Sequence, residues 1–114
     1  MSPARTKRFS IVTVTSPNNN HARLLSKKIL KNKLCACVQL VPKVESHYWW
    51  KGKLSKSTET WMIIKTHATK IKKLESMIRK NHPYDVPEIL EIKISSGNSD
   101  YLKWIQQSIG ISMK

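Results

Sequence analysis

The hydrophobic period of this chain changes repeatedly along its length, and the order of those changes limits its fold more than any other feature. Phe9 to Thr15 alternates, with Ile11 and Thr13 on one side and Val12 and Val14 on the other, as a strand requires. Ser16-Pro17-Asn18-Asn19-Asn20 is turn material with several side chains able to cap a helix. From His21 to Leu34, apolar residues fall at Ala22, Leu25, Ile29 and Leu30, the spacing of one helix face. The period returns to two from Cys35 to Tyr48, with Ala36, Val38 and Leu40 on one side, and Pro42 interrupts it as at a sheet edge or bulge. Tyr48-Trp49-Trp50-Lys51-Gly52-Lys53 reads as a strand end and tight turn, Gly52 supplying the permissive backbone. Thr58 to Thr66 is rich in β-formers, and Thr69 to Asn81 carries Ile71, Leu74 and Ile78 at helical spacing. Ile89 to Ser95 alternates again. Gly97-Asn98-Ser99-Asp100 then opens a last helix with Leu102, Ile105 and Ile109 on one face.

That order, β-α-β-β-α-β with an added C-terminal helix, predicts an α+β fold of the split-βαβ or ferredoxin-like kind: an antiparallel sheet with helices on one face. Residues 1–8 read as a basic flexible tail and residues 9–114 as a single domain. One face of such a sheet is left bare. RNA-recognition domains of this topology stack bases on aromatics of the first and third strands. Here Thr58-Glu59-Thr60-Trp61-Met62-Ile63-Ile64-Lys65 lacks their Gly-aromatic pattern, and the aromatics gather at the hairpin tip instead. The sheet is a poor platform for bases.

Composition narrows the partners. Lys+Arg 21 against Asp+Glu 7 gives a net charge of +14, which suits nucleic acid, an anionic surface or acidic small molecules, but equally a solvated lysine-rich surface. The lysines are scattered rather than blocked, so nucleic acid is the weaker expectation. No run approaches the roughly 18 apolar residues a membrane helix needs, and the short apolar run after Arg8 does not read as a secretory signal. The expected location is the cytoplasm. Cys35 and Cys37 sit two apart in a strand-like run and so share a face; a disulfide between them would be strained, and two reduced thiols are expected.

His82-Pro83-Tyr84-Asp85-Val86-Pro87-Glu88 packs titratable side chains between two prolines, each of which pushes the residue before it toward extended backbone. Such a stiff connector holds its side chains in fixed places. An imidazole at His82 and a carboxylate at Glu88 are common metal donors, while the plainer function of the segment is to stop one helix and aim the next strand. No nucleophile beside a base, catalytic carboxylate pair or glycine-rich phosphate loop is present, so the expected class is binding rather than catalysis.

Lys33-Leu34-Cys35-Ala36-Cys37-Val38, Tyr48-Trp49-Trp50-Lys51-Gly52-Lys53, Ile64-Lys65-Thr66, His82-Pro83-Tyr84-Asp85-Val86-Pro87-Glu88 and Gly97-Asn98-Ser99-Asp100-Tyr101-Leu102-Lys103-Trp104 together resemble the CutA family of divalent-cation tolerance proteins, in register from about Ser10 to Ser108. The resemblance implies a homotrimer of ferredoxin-like subunits, shaped like the PII signalling proteins, with Tyr48, Trp49 and Trp50 packing between subunits. It implies a part in tolerance or homeostasis of divalent metals, copper first, with His82 and Glu88 as metal ligands. The family cysteine that would join them falls on Val14, which cannot ligate. Lys65, Tyr84, Tyr101 and Trp104 match pocket-lining positions, with Glu88 the expected partner of the Lys65 ammonium. The resemblance also places Cys37 in the core and leaves the exposure of Cys35 open. Three functional readings follow. One is a pocket for a divalent cation, Cu(II) foremost, or a small anionic ligand near a subunit interface. The second is a PII-like signalling scaffold that docks another protein. The third is a basic RNA-binding domain.

Overall fold

The computed structural model describes residues 4–5 and 8–111. A two-residue strand, β1 (Ala4–Arg5), precedes β2 (Phe9–Ser16), α1 (Asn19–Lys31), β3 (Cys37–Trp50) and β4 (Lys53–His67). A 3-10 turn at Ala68–Lys70 leads into α2 (Ile71–Lys80), followed by β5 (Ile89–Lys93), β6 (Ser96–Gly97) and α3 (Ser99–Ser108). The main sheet has the order β3-β4-β2-β5 with every pair antiparallel, which is the ferredoxin-like arrangement. Among the described residues no helix is long and apolar enough to cross a membrane.

Strand alternation divides the sheet into two unlike faces. Val12 and Val14 of β2 lie beside Ile64 and Met62 of β4, and onto them pack Ala22, Leu25 and Ile29 of α1 with Leu74 and Ile78 of α2. These side chains are all but sealed from water, and each large one contributes about 1.5–3 kcal/mol of transfer free energy. Asn18 starts α1 by accepting the His21 N–H at 2.8 Å, and Lys28 and Lys31 sit in its last turn where the helix dipole favours cations. The helix stops at Lys31, before the expected Leu34. Lys33 turns to φ 59°, the Leu34 N–H reaches back to Ile29 O at 3.0 Å, and Leu34 and Cys35 drop into the core. Leu30, expected on the buried face, is exposed.

The second difference is the hairpin. β4 begins at Lys53, ahead of the expected Thr58, because Lys53 to Thr58 belongs to a two-stranded ribbon that extends beyond the sheet. With solvent on both sides, that ribbon carries no period-two apolar signal to read. Its tip pairs Trp50 with Lys53 across Lys51 and Gly52, whose φ values of 50° and 77° are the positive pair a two-residue hairpin loop requires. Pro42 does mark a bulge: the register slips between Val41 and Val44, with Lys43 at φ 56°.

A second, smaller core joins Phe9 to Leu102 and Ile105 of α3 and to Ile109, its C-cap. Asn98 caps α3 by accepting the N–H groups of Asp100 and Tyr101 at 2.9 and 3.1 Å. Ala4 and Arg5, which the sequence reading placed in a tail, pair with Gly97 and Ser96. Apart from these two residues and Arg8, the expected tail lies outside the described residues.

Candidate functional site

The Pro-rich connector leaves α2 at Asn81, whose side-chain N–H donates to Met77 O at 2.8 Å and closes the helix. His82 then turns toward β2. Its Nε2 lies 2.7 Å from Thr15 O and its Nδ1 lies 3.2 Å from the Tyr84 backbone nitrogen. A carbonyl only accepts and an N–H only donates, so His82 carries its proton on Nε2 and offers Nδ1 to Tyr84. Burial, with the neighbouring His21 adding to it, lowers the His82 pKa against the opposing pull of Thr15 O and Glu59. His21 repeats the arrangement from the other side: its Nε2 donates to Asn81 O at 2.7 Å and its Nδ1 lies 2.6 Å from Ser16 Oγ. The two rings meet edge-on at 5.1 Å and clamp the α2 exit to the end of β2.

The clamp sets Tyr84, whose ring lies 4.6 Å from that of His82 and whose hydroxyl donates to Glu59 Oε2 at 2.8 Å. Burial first, then the Glu59 carboxylate, pushes the Tyr84 phenol well above its ordinary range. Glu59 is 7% exposed, yet no lysine or arginine among the described residues pairs with it. Glu88 accepts from Trp61 Nε1 at 3.3 Å. Between this loop and the hairpin ribbon opens a cleft of about 890 Å³, with Tyr48, Trp49 and Trp50 along one wall and Tyr84 to Glu88 along the other. Three of the chain's seven acidic side chains, Glu59, Asp85 and Glu88, line it.

The sequence-predicted residues therefore separate into two places. His82, Tyr84 and Glu88 lie at the cleft. Lys65 points from β4 onto the open face opposite Cys37 and Ile11, and its ammonium sits 5.7 Å from the centre of the Tyr101 ring, next to Trp104. The expected Lys65–Glu88 pair is not formed: Glu88 is held by Trp61, four positions away along β4, about 13 Å at strand rise.

As metal ligands, His82 and Glu88 do not converge with a third donor. Both ring nitrogens of His82 are engaged by backbone, Val14 is sealed in the core, and no group of three His, Cys, Asp or Glu side chains gathers among the described residues. A metal centre built on His82 does not fit a single chain. The cysteines also depart from expectation. Cys35 precedes β3 and falls into the core, where burial raises its thiol to about 12; Cys37, expected to be the core thiol, is half-buried on the open face opposite Lys65. They do not share a face, because alternation begins only at Cys37.

Two residues escaped the sequence reading. Glu59 carried a usable signal, an acid inside a β-rich run, the same oddity that singled out Lys65. Trp61 was read only as strand, and its indole N–H matters because the fold brings Glu88 to it.

A family model described as CutA1 divalent ion tolerance protein matches residues 10–108. The rice protein named "Protein CutA 1, chloroplastic" is 42% identical over 98 residues, which is 86% of this chain but 55% of the rice protein's length. The divalent-cation tolerance protein CutA of Pectobacterium atrosepticum is 37% identical over 99 residues, covering 87% of this chain and 90% of the bacterial one. A crystal structure of CutA1 from Oryza sativa superposes with a TM-score of 0.87 at 38% identity, over 97% of this chain and 100% of that chain. The family match spans nearly all the described residues and the fold superposes over 97% of the chain, and the chain belongs to the CutA1 family of divalent ion tolerance proteins.

Proposed function

We propose that the chain is a homotrimeric binding protein of divalent-cation homeostasis, not a catalyst, and that the cleft between hairpin and loop is its ligand site. The observation that carries this reading is the concentration of Glu59, Asp85 and Glu88 at one cleft in a chain of net charge +14. The three line the cleft without converging as a three-donor cluster among the described residues of one chain, so a cation there is held by one or two carboxylates and water; such oxygen donors suit several divalent ions and lack the thiolate chemistry that selects Cu(I). His82 serves the site by holding Tyr84 and the loop rather than by ligation. Assembly is supported by the hairpin tip, where Tyr48, Trp49 and Trp50 are 40%, 70% and 45% exposed. Large aromatics left in water at one end of a ribbon are the composition of an interface core.

Calorimetric titration of the metal-stripped protein with Cu(II) and with Zn(II) tests the site. Saturable, weak binding of both ions that is lost in Glu88→Gln and weakened but still saturable in His82→Ala is expected. Binding that disappears with His82 and survives Glu88→Gln would return the site to the imidazole. Absence of saturable binding in the wild type would remove the cation from the reading.

A further inference from the structure

Lysines that lie scattered in the sequence are gathered by the fold onto the outer side of two helices. α1 spends Ala22, Leu25, Ser26 and Ile29 on the core and turns Arg23, Lys27, Lys28 and Lys31 to solvent. α2 buries Leu74 and Ile78 and exposes Lys72, Lys73, Arg79 and Lys80. The helices lie side by side, joined where the Lys28 ammonium donates to Asn81 Oδ1 at 2.9 Å and the His21 ring to Asn81 O at 2.7 Å. Eight of the chain's 21 cationic side chains thus share one surface with Glu75, the single acid of either helix, which accepts from Arg79 at 3.2 Å. The other acids lie on β3, β4, β5, the Pro-rich loop and α3.

Folding accounts for half of these charges. Lys28, Lys31, Arg79 and Lys80 sit in last turns, where the helix dipole favours cations. Arg23 and Lys27 do not. Lys72 and Lys73 occupy the first turn of α2, the positive end of its dipole, with no acid in that turn to offset them. Arg23, Lys27 and Lys31 follow one another at four-residue steps, about 6 Å apart along the axis, and like charges at that spacing weaken a helix. A row of cations that costs the subunit stability has a reason to exist when an anion answers it.

What the surface lacks selects the partner. Neither helix carries a Phe, Tyr or Trp, whereas the cores of protein interfaces draw on aromatic anchors and are depleted of Lys. The apolar stripe of each helix is already spent on the core, so only Leu24 and Leu30 of α1 are left to enter a bilayer. A single nucleic-acid strand is held by stacking its bases on aromatics, which this surface cannot do. A duplex needs neither aromatics nor an apolar stripe, because exposed Lys and Arg bind its phosphates by displacing condensed counterions. We propose that the outer surface of α1 and α2 binds the phosphate backbone of a nucleic-acid duplex by charge. This surface is separate from the acidic cleft and independent of what binds there.

Fluorescence anisotropy of a short labelled duplex, once as DNA and once as RNA, titrated with the full chain tests the surface. Binding should weaken about 10³-fold between about 50 and 200 mM salt. The tighter-bound duplex identifies the partner, and either order supports the proposal. The triple variants Arg23→Gln/Lys27→Gln/Lys31→Gln and Lys72→Gln/Lys73→Gln/Lys80→Gln should each reduce the slope of log affinity against log salt by about 2–3. Lys53→Gln/Lys56→Gln/Lys103→Gln removes the same net charge from the hairpin and α3, and it should bind within about threefold of wild type. Circular dichroism verifies folding, and if a triple variant fails to fold, Lys27→Gln and Lys72→Gln should each lower the slope by about 1. Absence of duplex binding at about 50 mM salt overturns the proposal. So does an equal loss in all three triple variants, which would assign the binding to net charge alone. Co-sedimentation with phosphatidylserine vesicles that the helix variants lose, without duplex binding, would overturn it in favour of a membrane.

Discussion

The two faces of the sheet are made from the same strands and finished in different ways. On the helix-covered face, polar groups are answered within the chain: Thr66 Oγ1 donates to Leu34 O at 2.7 Å and Ser26 Oγ to Ala22 O at 2.7 Å. On the open face, Leu90, Ile92 and Trp50 stand in water, and Glu59 and Lys65 lack charged counterparts among the described residues. The covered face explains why the subunit folds. On the assembly proposed above, the open face is the part of the subunit that a second copy would cover. Substitutions that sort cleanly between folding and association would sharpen that contrast, and substitutions that mix the two would break it.

The largest effect belongs to the covered face. Ile64 is 0% exposed at the centre of the main core, and Ile64→Ala should cost about 2–5 kcal/mol of folding stability through lost contacts and the cavity left behind. Trp50→Ala at the hairpin tip removes a side chain that is 45% exposed in the subunit. It should leave the subunit's secondary structure intact and raise the dissociation concentration, with an interface cost of about 2 kcal/mol or more. Chemical denaturation read beside sedimentation separates the two. A Trp50→Ala protein that assembles like wild type at low concentration would remove the tip aromatics from the interface.

His82 tests the boundary between the faces. His82→Ala deletes the donor to Thr15 O and the acceptor for the Tyr84 N–H, and a partly buried backbone group left unpaired costs about 1–3 kcal/mol. Stability should fall by that order, and the Tyr84–Glu59 bond should loosen because its loop is no longer clamped. Tyrosine fluorescence is masked by the tryptophans, so hydrogen exchange across Tyr84 to Glu88 is the readout. Unchanged protection there would mean that the prolines alone fix the loop.

Most of the covered face was legible in the sequence because burial imposes a period. Val12, Val14, Leu25, Ile29, Leu74 and Ile78 declare their faces by spacing alone, and all six are in the core. The hairpin ribbon hid its first residues because both its sides meet solvent. The site was less legible for a different reason. Residue types at His82, Tyr84 and Glu88 could be seen, but the engagement of His82 Nε2 depends on Thr15, far away in the chain, and the separation of Lys65 from Glu88 depends on strand register. The cysteines misled because alternation was extended backward through Cys35, where the chain is still leaving a helix. Glu59 was visible as an acid among β-formers; its importance came from Tyr84 arriving at it.

The smallest effect is set by pH. His67 is 3% exposed on β4, where its Nδ1 accepts the Thr69 N–H at 3.2 Å and its Nε2 has no partner among the described residues. Burial, then the charges of Arg8 and Lys70, lower its pKa, and His82 is lowered as well, chiefly by burial. In the unfolded chain both imidazoles take up a proton near the ordinary value of about 6.5, whereas the folded chain resists doing so until the pH is lower. Between those two values the unfolded state binds more protons, so stability rises with pH there. The contribution of both residues is complete above about pH 6.5 and drains away as the pH falls through the folded values. His67→Asn keeps an acceptor for the Thr69 N–H and cannot titrate, so its melting temperature should fall less than that of wild type between neutral pH and mildly acid solution. The covered-versus-open contrast sharpens further if the two histidines respond differently. His67 belongs to the folded subunit, so its share of the drop should persist when the protein is diluted below its assembly concentration. A pH dependence that vanishes on dilution would instead assign the acid sensitivity to contacts between copies.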